Sequence, residues 1–145
     1  MPTIGSILQS RTVFSVQRSA SVLEAVRSMA DKNVGAMAVL DGTRLVGIFS
    51  ERDVITRVVS KGLDPGSVKV DQVMTKDLIV ADSSESDEDC LRKMKAGNCR
   101  HLPIVADGSL VGLISLRDLL QVELTDRDEK LEFLTNYMFH LPPTQ

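Results

Sequence analysis

Two segments of the chain, Gly47-Ile48-Phe49-Ser50-Glu51-Arg52-Asp53 and Gly112-Leu113-Ile114-Ser115-Leu116-Arg117-Asp118, each set a hydroxyl, a guanidinium and a carboxylate within four residues. At a strand-to-helix junction that trio suits a nucleotide. Backbone N–H groups at a helix N-terminus hold phosphate, Arg52 or Arg117 adds a charged fork, and Asp53 or Asp118 accepts from both hydroxyls of a ribose. Gly47 and Gly112 let the backbone come close to a ligand. The same Ser-x-x-Asp spacing is also a capping box, which satisfies helix N–H groups with no ligand present. Arg in both copies goes beyond what a cap needs.

These segments are copies of one another. At an offset of 65 residues Leu45–Asp53 falls on Leu110–Asp118 without a gap, and Arg27, Met29 and Asn33 fall on Arg92, Met94 and Asn98. Each copy reads as the same run of elements. A β-rich stretch opens it, Thr12 to Val16 in the first and Leu78 to Ala81 in the second. A helix follows, begun by Ser21 with Glu24 and an apolar face of Val22, Ala25, Val26 and Met29, or by Ser86 with Asp89 ahead of Cys90, Leu91 and Met94. Then come two apolar runs around a tight turn: Ala36–Leu40 and Leu45–Phe49 around Asp41-Gly42-Thr43-Arg44, His101–Val105 and Leu110–Ile114 around Ala106-Asp107-Gly108-Ser109. Both hairpins feed a helix at Ser50 or Ser115.

The expected fold is therefore α+β, two β-α-β-β-α units with helices packed on a small sheet. Copies of this size are marginal alone, so the two lobes are expected to bury their sheets against each other around a pseudo-twofold cleft. The breaker-rich connector Lys61-Gly62-Leu63-Asp64-Pro65-Gly66-Ser67 divides residues 1–65 from residues 66–124. Residues 125–145 form a tail, in which Thr125 and Asp128 cap a further helix with Leu131, Leu134, Met138 and Leu141 on one face and Pro142-Pro143 at its end.

Composition narrows the function. The 145 residues carry 17 Lys plus Arg against 20 Asp plus Glu, a formal charge of -3, with no basic cluster interleaved with aromatics. Nucleic acid is a poor partner for such a surface. No apolar run reaches the length of a membrane span and the N-terminus lacks the pattern of a signal peptide, so a cytoplasmic location without membrane attachment is expected. Cys90 and Cys99 read as reduced thiols and small hydrophobes. With His101 they make only a weak metal signal, having no paired Cys-x-x-Cys.

The doubled pattern, together with Asn98-Cys99-Arg100-His101-Leu102-Pro103-Ile104-Val105, resembles a tandem pair of cystathionine β-synthase (CBS) domains, the Bateman module, over about Ile4 to Leu120. The resemblance implies a two-lobed, commonly dimeric disc that binds AMP, ADP, ATP, S-adenosylmethionine or NAD(H) in clefts between the repeats. It makes Asp53 and Asp118 acceptors for ribose hydroxyls, with Ser50 and Ser115 beside ribose or phosphate and Arg52 and Arg117 as phosphate partners. Thr12-Val13 and Gly35-Ala36 match places where backbone approaches adenine, and Arg100-His101 a basic pair facing phosphate. Copy one departs from the pattern. It has Gly35-Ala36-Met37-Ala38 where copy two has Arg100-His101-Leu102-Pro103, and Asp77 stands where copy one has Thr12, so the two sites are expected to be non-equivalent.

Three functions follow for comparison. The first is a stand-alone regulatory protein, a sensor whose bound adenine nucleotide or NAD(H) alters a homodimer or an unknown protein client. The second is a ligand-independent dimerisation or interaction module, in which the Ser-x-x-Asp boxes are only caps. The third is an enzyme, for which no nucleophile elbow, P-loop, dinucleotide fingerprint or zinc motif provides a basis.

Overall fold

A computed structural model describes Ile4, Leu8, residues 13–126 and Thr135. The elements run β1 (Ser15–Gln17), α1 (Val22–Lys32), β2 (Ala36–Asp41), β3 (Arg44–Ser50) and α2 (Glu51–Asp53), which continues as a π-helix over Val54–Val59. After α3 (Val70–Val73) the pattern returns as β4 (Ala81–Asp82), α4 (Asp87–Gly97), β5 (His101–Ala106), β6 (Ser109–Ser115) and α5 (Leu116–Asp126). Each repeat holds a three-stranded sheet, β1-β2-β3 and β4-β5-β6, in which the first pair is parallel and the second antiparallel. This is the expected α+β duplication. Thr125, expected to cap a further helix, instead lies inside α5, which runs on to Asp126 without a break, while Leu131, Leu134, Met138 and Leu141 lie outside the described residues.

Local chemistry sets the element ends. Ser21 accepts from the Glu24 N–H while Glu24 accepts from the Ser21 N–H, and Ser86 and Asp89 repeat the exchange, so both long helices begin at capping boxes. Both end on an asparagine in the left-handed region, Asn33 at φ 55° and Asn98 at φ 52°, a conformation Asn tolerates better than most residues. The hairpins close through two residues, Gly42-Thr43 and Asp107-Gly108. Asp107 and Gly108 both take positive φ, whereas in the first hairpin only Gly42 does. The opening strands sit later than the sequence pattern places them, at Ser15–Gln17 and Ala81–Asp82, because a ladder exists only where β2 or β5 runs alongside.

Apolar packing forms two cores. In the first, Val22, Ala25 and Met29 of α1 meet Met37, Val39 and Phe49 of the sheet. In the second, Cys90 and Met94 of α4 meet Leu102, Ile104 and Ile114. The lobes touch through β3 and β6. Each core is completed by residues from outside its own sheet-and-helix run. Val70, Val73 and Met74, which follow the connector, are buried in the first core, and Ile4 and Leu8, which precede β1, are buried in the second.

The connector is thus a break in sequence pattern but not in packing. Asp64 orders it by accepting from the Gly66 N–H and the Ser67 hydroxyl. The carbonyls of Val68 and Pro65 then accept from the Val22 and Leu23 N–H groups. Those N–H groups have no partner within their own helix, so the connector helps to cap α1. Farther on, Thr75 and Ile48 exchange both backbone hydrogen bonds, at 2.8 and 3.0 Å, and tie the segment to β3.

Candidate functional site

Register builds the two junctions alike. Ala36 pairs with Ser50 and His101 with Ser115 across the hairpins. The first residue of each following helix then donates back to the strand entry, Glu51 N–H to the Gly35 carbonyl at 2.9 Å and Leu116 N–H to the Arg100 carbonyl at 2.8 Å. Both Ser-x-x-Asp segments form capping boxes. Ser50 accepts from the Asp53 N–H while Asp53 accepts from the Ser50 N–H, and Ser115 and Asp118 do the same at 3.0 and 2.9 Å.

Asp53 does more than cap. It is 5% exposed, and its Oδ2 accepts from the Ser50 N–H at 3.0 Å and the Ser50 hydroxyl at 3.2 Å. The Thr75 hydroxyl donates to Oδ1 at 3.2 Å and the Arg57 Nε lies 3.6 Å from the same oxygen. Arg57 also donates to the Met74 carbonyl at 2.9 Å. The carboxylate therefore joins the start of α2 to the segment after α3.

A cleft of about 920 Å³ opens beside this cluster. Repeat one contributes Gly35, Ile48, Ser50, Glu51, Arg52 and Asp53, and repeat two contributes Met94, Lys95, Gly97, Asn98, Cys99, Arg100, His101 and Leu116. Thr75, Asp77, Leu78 and Ile79 supply the wall between them. The basic side chains Arg52, Lys95 and Arg100 are exposed, while His101 is half-buried. Burial lowers the His101 pKa, reinforced by Arg100 and opposed by the carboxylates of Asp118 and Glu51. The His101 ring is thereby biased to the neutral form, in which one nitrogen donates and the other accepts.

The sequence-derived site residues divide between places. Gly35, Ser50, Arg52, Asp53, Arg100 and His101 line this one cleft. Val13, Ala36, Pro103, Ser115, Arg117 and Asp118 are not among its lining residues. Ala36 and Pro103 are buried in the central strands, Val13 is half-buried just before β1, and Arg117 is exposed. Thr12 lies outside the described residues. Thr75, Leu78, Ile79 and Lys95 were not singled out from the sequence, although Thr75 follows the connector and Lys95 stands in the last turn of α4. Their signal is tertiary. No spacing rule says that residues after the connector close a cleft whose opposite wall is Ser50–Asp53.

Among the described residues no group of three or more His, Cys, Asp or Glu is placed to hold a metal ion. Nor is any described helix long and apolar enough to cross a membrane.

Comparison with known proteins agrees with the architecture. The CBS domain family model matches residues 4–60 and again residues 70–124. A CBS domain-containing protein of Arabidopsis thaliana, CBSCBSPB2, is 30% identical over 126 residues, which is 86% of this chain and 24% of that protein. The chain thus spans about a quarter of that relative's length. A solved CBS-domain protein from Burkholderia ambifaria MC40-6 superposes with a TM-score of 0.81 at 33% identity, covering 87% of this chain and 96% of that one. A CBS domain protein from Pyrobaculum aerophilum, solved in complex with AMP, gives a TM-score of 0.76 at 25% identity and covers 92% and 98% of the two chains. Two matched domains, two copies of one fold and a cleft between them establish that this chain belongs to the CBS-domain family as a tandem pair.

Proposed function

We propose that this CBS pair is a regulatory protein that binds an adenosine-containing ligand, of the class of AMP, ADP, ATP, NAD(H) or S-adenosylmethionine, in the cleft between its repeats. The observation that carries the reading is the meeting of Ser50–Asp53 from repeat one with Arg100 and His101 from repeat two around one cleft. Its volume of about 920 Å³ falls within the range of small-molecule pockets. Asp53 would accept from ribose hydroxyls, Ser50 would stand beside them, and the Gly35 backbone would meet the base. Arg52, Lys95 and Arg100 would face phosphate. The AMP complex of the Pyrobaculum aerophilum relative supports this ligand class.

On this reading Ser115, Arg117 and Asp118, with Thr12, Val13, Ala36 and Pro103 nearby in the repeat pattern, belong to a second and non-equivalent position. Occupancy shifts a homodimer or a client protein only through differential affinity for two states. The working location is the cytoplasm, and the role is regulation rather than catalysis.

A second reading has its own observation. Asp53 is already satisfied by Ser50, Thr75 and Arg57, as a purely structural cap would be. In that case the pair is an interaction module without a ligand.

Thermal unfolding separates the two. Wild type and Asp53→Ala/Asp118→Ala are melted alone and with AMP, ADP, ATP, NAD, NADH and S-adenosylmethionine. Ligand at a hundred times its Kd adds about 2.7 kcal/mol, a shift of roughly 5–12 °C for a chain of this size. The nucleotide reading expects that shift in wild type and its loss in the double variant. A flat response to all six by wild type freed of carried-over nucleotide favours the interaction module.

A further inference from the structure

We infer that the Thr75 hydroxyl is a built-in competitor for the ligand at Asp53, so that the segment joining the repeats sets the affinity of the cleft. The inference rests on the assignment of Asp53 to ribose hydroxyls. A carboxylate offers about four acceptor positions on its two oxygens. At Asp53 the Ser50 N–H and hydroxyl lie on Oδ2 at 3.0 and 3.2 Å. Thr75 Oγ1 lies 3.2 Å from Oδ1 and 3.4 Å from Oδ2, and Arg57 Nε lies 3.6 Å from Oδ1. Two incoming ribose hydroxyls find little acceptor capacity left.

The partners differ in how readily they yield. The Ser50 N–H is fixed in the capping box, and its loss would unmake the start of α2. Arg57 is anchored on the Met74 carbonyl at 2.9 Å. Thr75 is held by its backbone, through the two hydrogen bonds with Ile48. Its hydroxyl can therefore swing away by side-chain rotation while the chain stays in register. Thr75 itself lines the cleft, on the wall facing the incoming ligand. A hydroxyl on the same carboxylate, in the path of the ligand, resembles the group it would give way to.

The device also has a direction. Thr75 follows α3, whose end is gripped by Arg57, so one carboxylate is shared between the cleft and the connector region. A ligand that takes Asp53 from Thr75 loosens a side-chain tie between repeat one and that region.

The test is titration calorimetry of AMP, ATP and NADH against wild type, Thr75→Val and Thr75→Ser, with unfolding midpoints measured alongside. Thr75→Val keeps the shape of the side chain and removes the donor. It is expected to lower the unliganded midpoint and to tighten binding of the probe by about three- to tenfold, the range for the net worth of one ordinary competing hydrogen bond. Thr75→Ser, which restores a hydroxyl, is expected to bind as wild type does. Unchanged or weaker binding by Thr75→Val, with wild type binding normally, overturns the inference and leaves the nucleotide reading standing. Binding of none of the three probes to wild type or to either variant overturns both.

Discussion

Met74 lies directly over Gly47. A methyl group on that glycine would come within 2.5 Å of the Met74 sulfur and 2.9 Å of the Thr75 carbonyl oxygen. In the second repeat a methyl on Gly112 would come within 2.6 Å of a Leu8 side-chain carbon. The two glycines flanking the chemistry-bearing segments thus serve first as seats for segments arriving from elsewhere in the chain.

The two contacts are not equally forgiving. Leu8 meets Gly112 with a rotatable side chain, whereas Gly47 also faces backbone that is hydrogen-bonded to Ile48. Gly47→Ala is expected to cost about 1–3 kcal/mol, as overpacking does, and Gly112→Ala less. Denaturant melts of the two variants give the order, and equal or reversed costs would count against this account.

The pH dependence between 5 and 7 should carry the mark of His101. Its folded pKa lies below the ordinary value of 6.5, chiefly through burial. The unfolded chain therefore takes up a proton that the folded chain refuses, and stability is lost as pH falls through the unfolded pKa. Glu24, Asp64, Asp82 and Asp89, lowered mainly by hydrogen bonds from Ser21, Ser67, Ser84 and Arg92, act at more acid pH. Their contribution is present above the unfolded carboxylate range and lost as pH falls below it. His101→Gln is expected to flatten the stability profile between pH 7 and 5, with His140→Gln measured as a control. An unchanged slope in His101→Gln would refute the assignment.

The two thiols should differ in reactivity. Burial, and then the Glu85 carboxylate, push the Cys90 thiol up to about 11, while burial also raises Cys99. Cys90 is fully buried, whereas Cys99 is half-buried and lines the cleft. Iodoacetamide at pH 8 is expected to label Cys99 slowly and Cys90 only on unfolding. Bound AMP should protect Cys99. Mass spectrometry of the labelled peptides reads both outcomes, and labelling of Cys90 ahead of Cys99 in the folded protein would contradict them.

Asn33 and Asn98 test the helix ends. Both sit in the left-handed region, where a side chain branching directly from the backbone costs energy that Asn partly recovers locally. Asn33→Ala and Asn98→Ala are each expected to lose about 1 kcal/mol, and the corresponding glycine variants to lose less or to gain. Thermal melts of the four single variants decide this.

Much of the fold was legible because it is written locally and twice. Ser21 with Glu24, Ser86 with Asp89, and the Gly42 and Gly108 turns each carry their own stereochemistry, and an offset of 65 residues confirms one copy by the other. The paired asparagines stand out as a repeat, but their spacing alone does not mark them as left-handed caps. Long-range packing was the least legible part. Nothing in Val70, Val73 or Met74 says which sheet they cover, and the breakers around Pro65 point to a boundary that the core does not respect. The candidate site shared that limit. Ser50, Asp53, Arg100 and His101 could be picked out by type and spacing, whereas Thr75 and Lys95 became visible only when two distant segments met.

The exchange of segments between the two cores also orders their completion in time. During synthesis repeat one cannot close its core when its own last helix emerges, because Val70, Val73 and Met74 have still to follow. Ile4 and Leu8, which precede β1, have no seat until β5, β6 and Leu119 of repeat two exist. The segment before β1 thus waits for the last strands of repeat two. Neither half carries a complete interior, so a nascent chain stalled near the connector would hold two unfinished lobes rather than one finished domain.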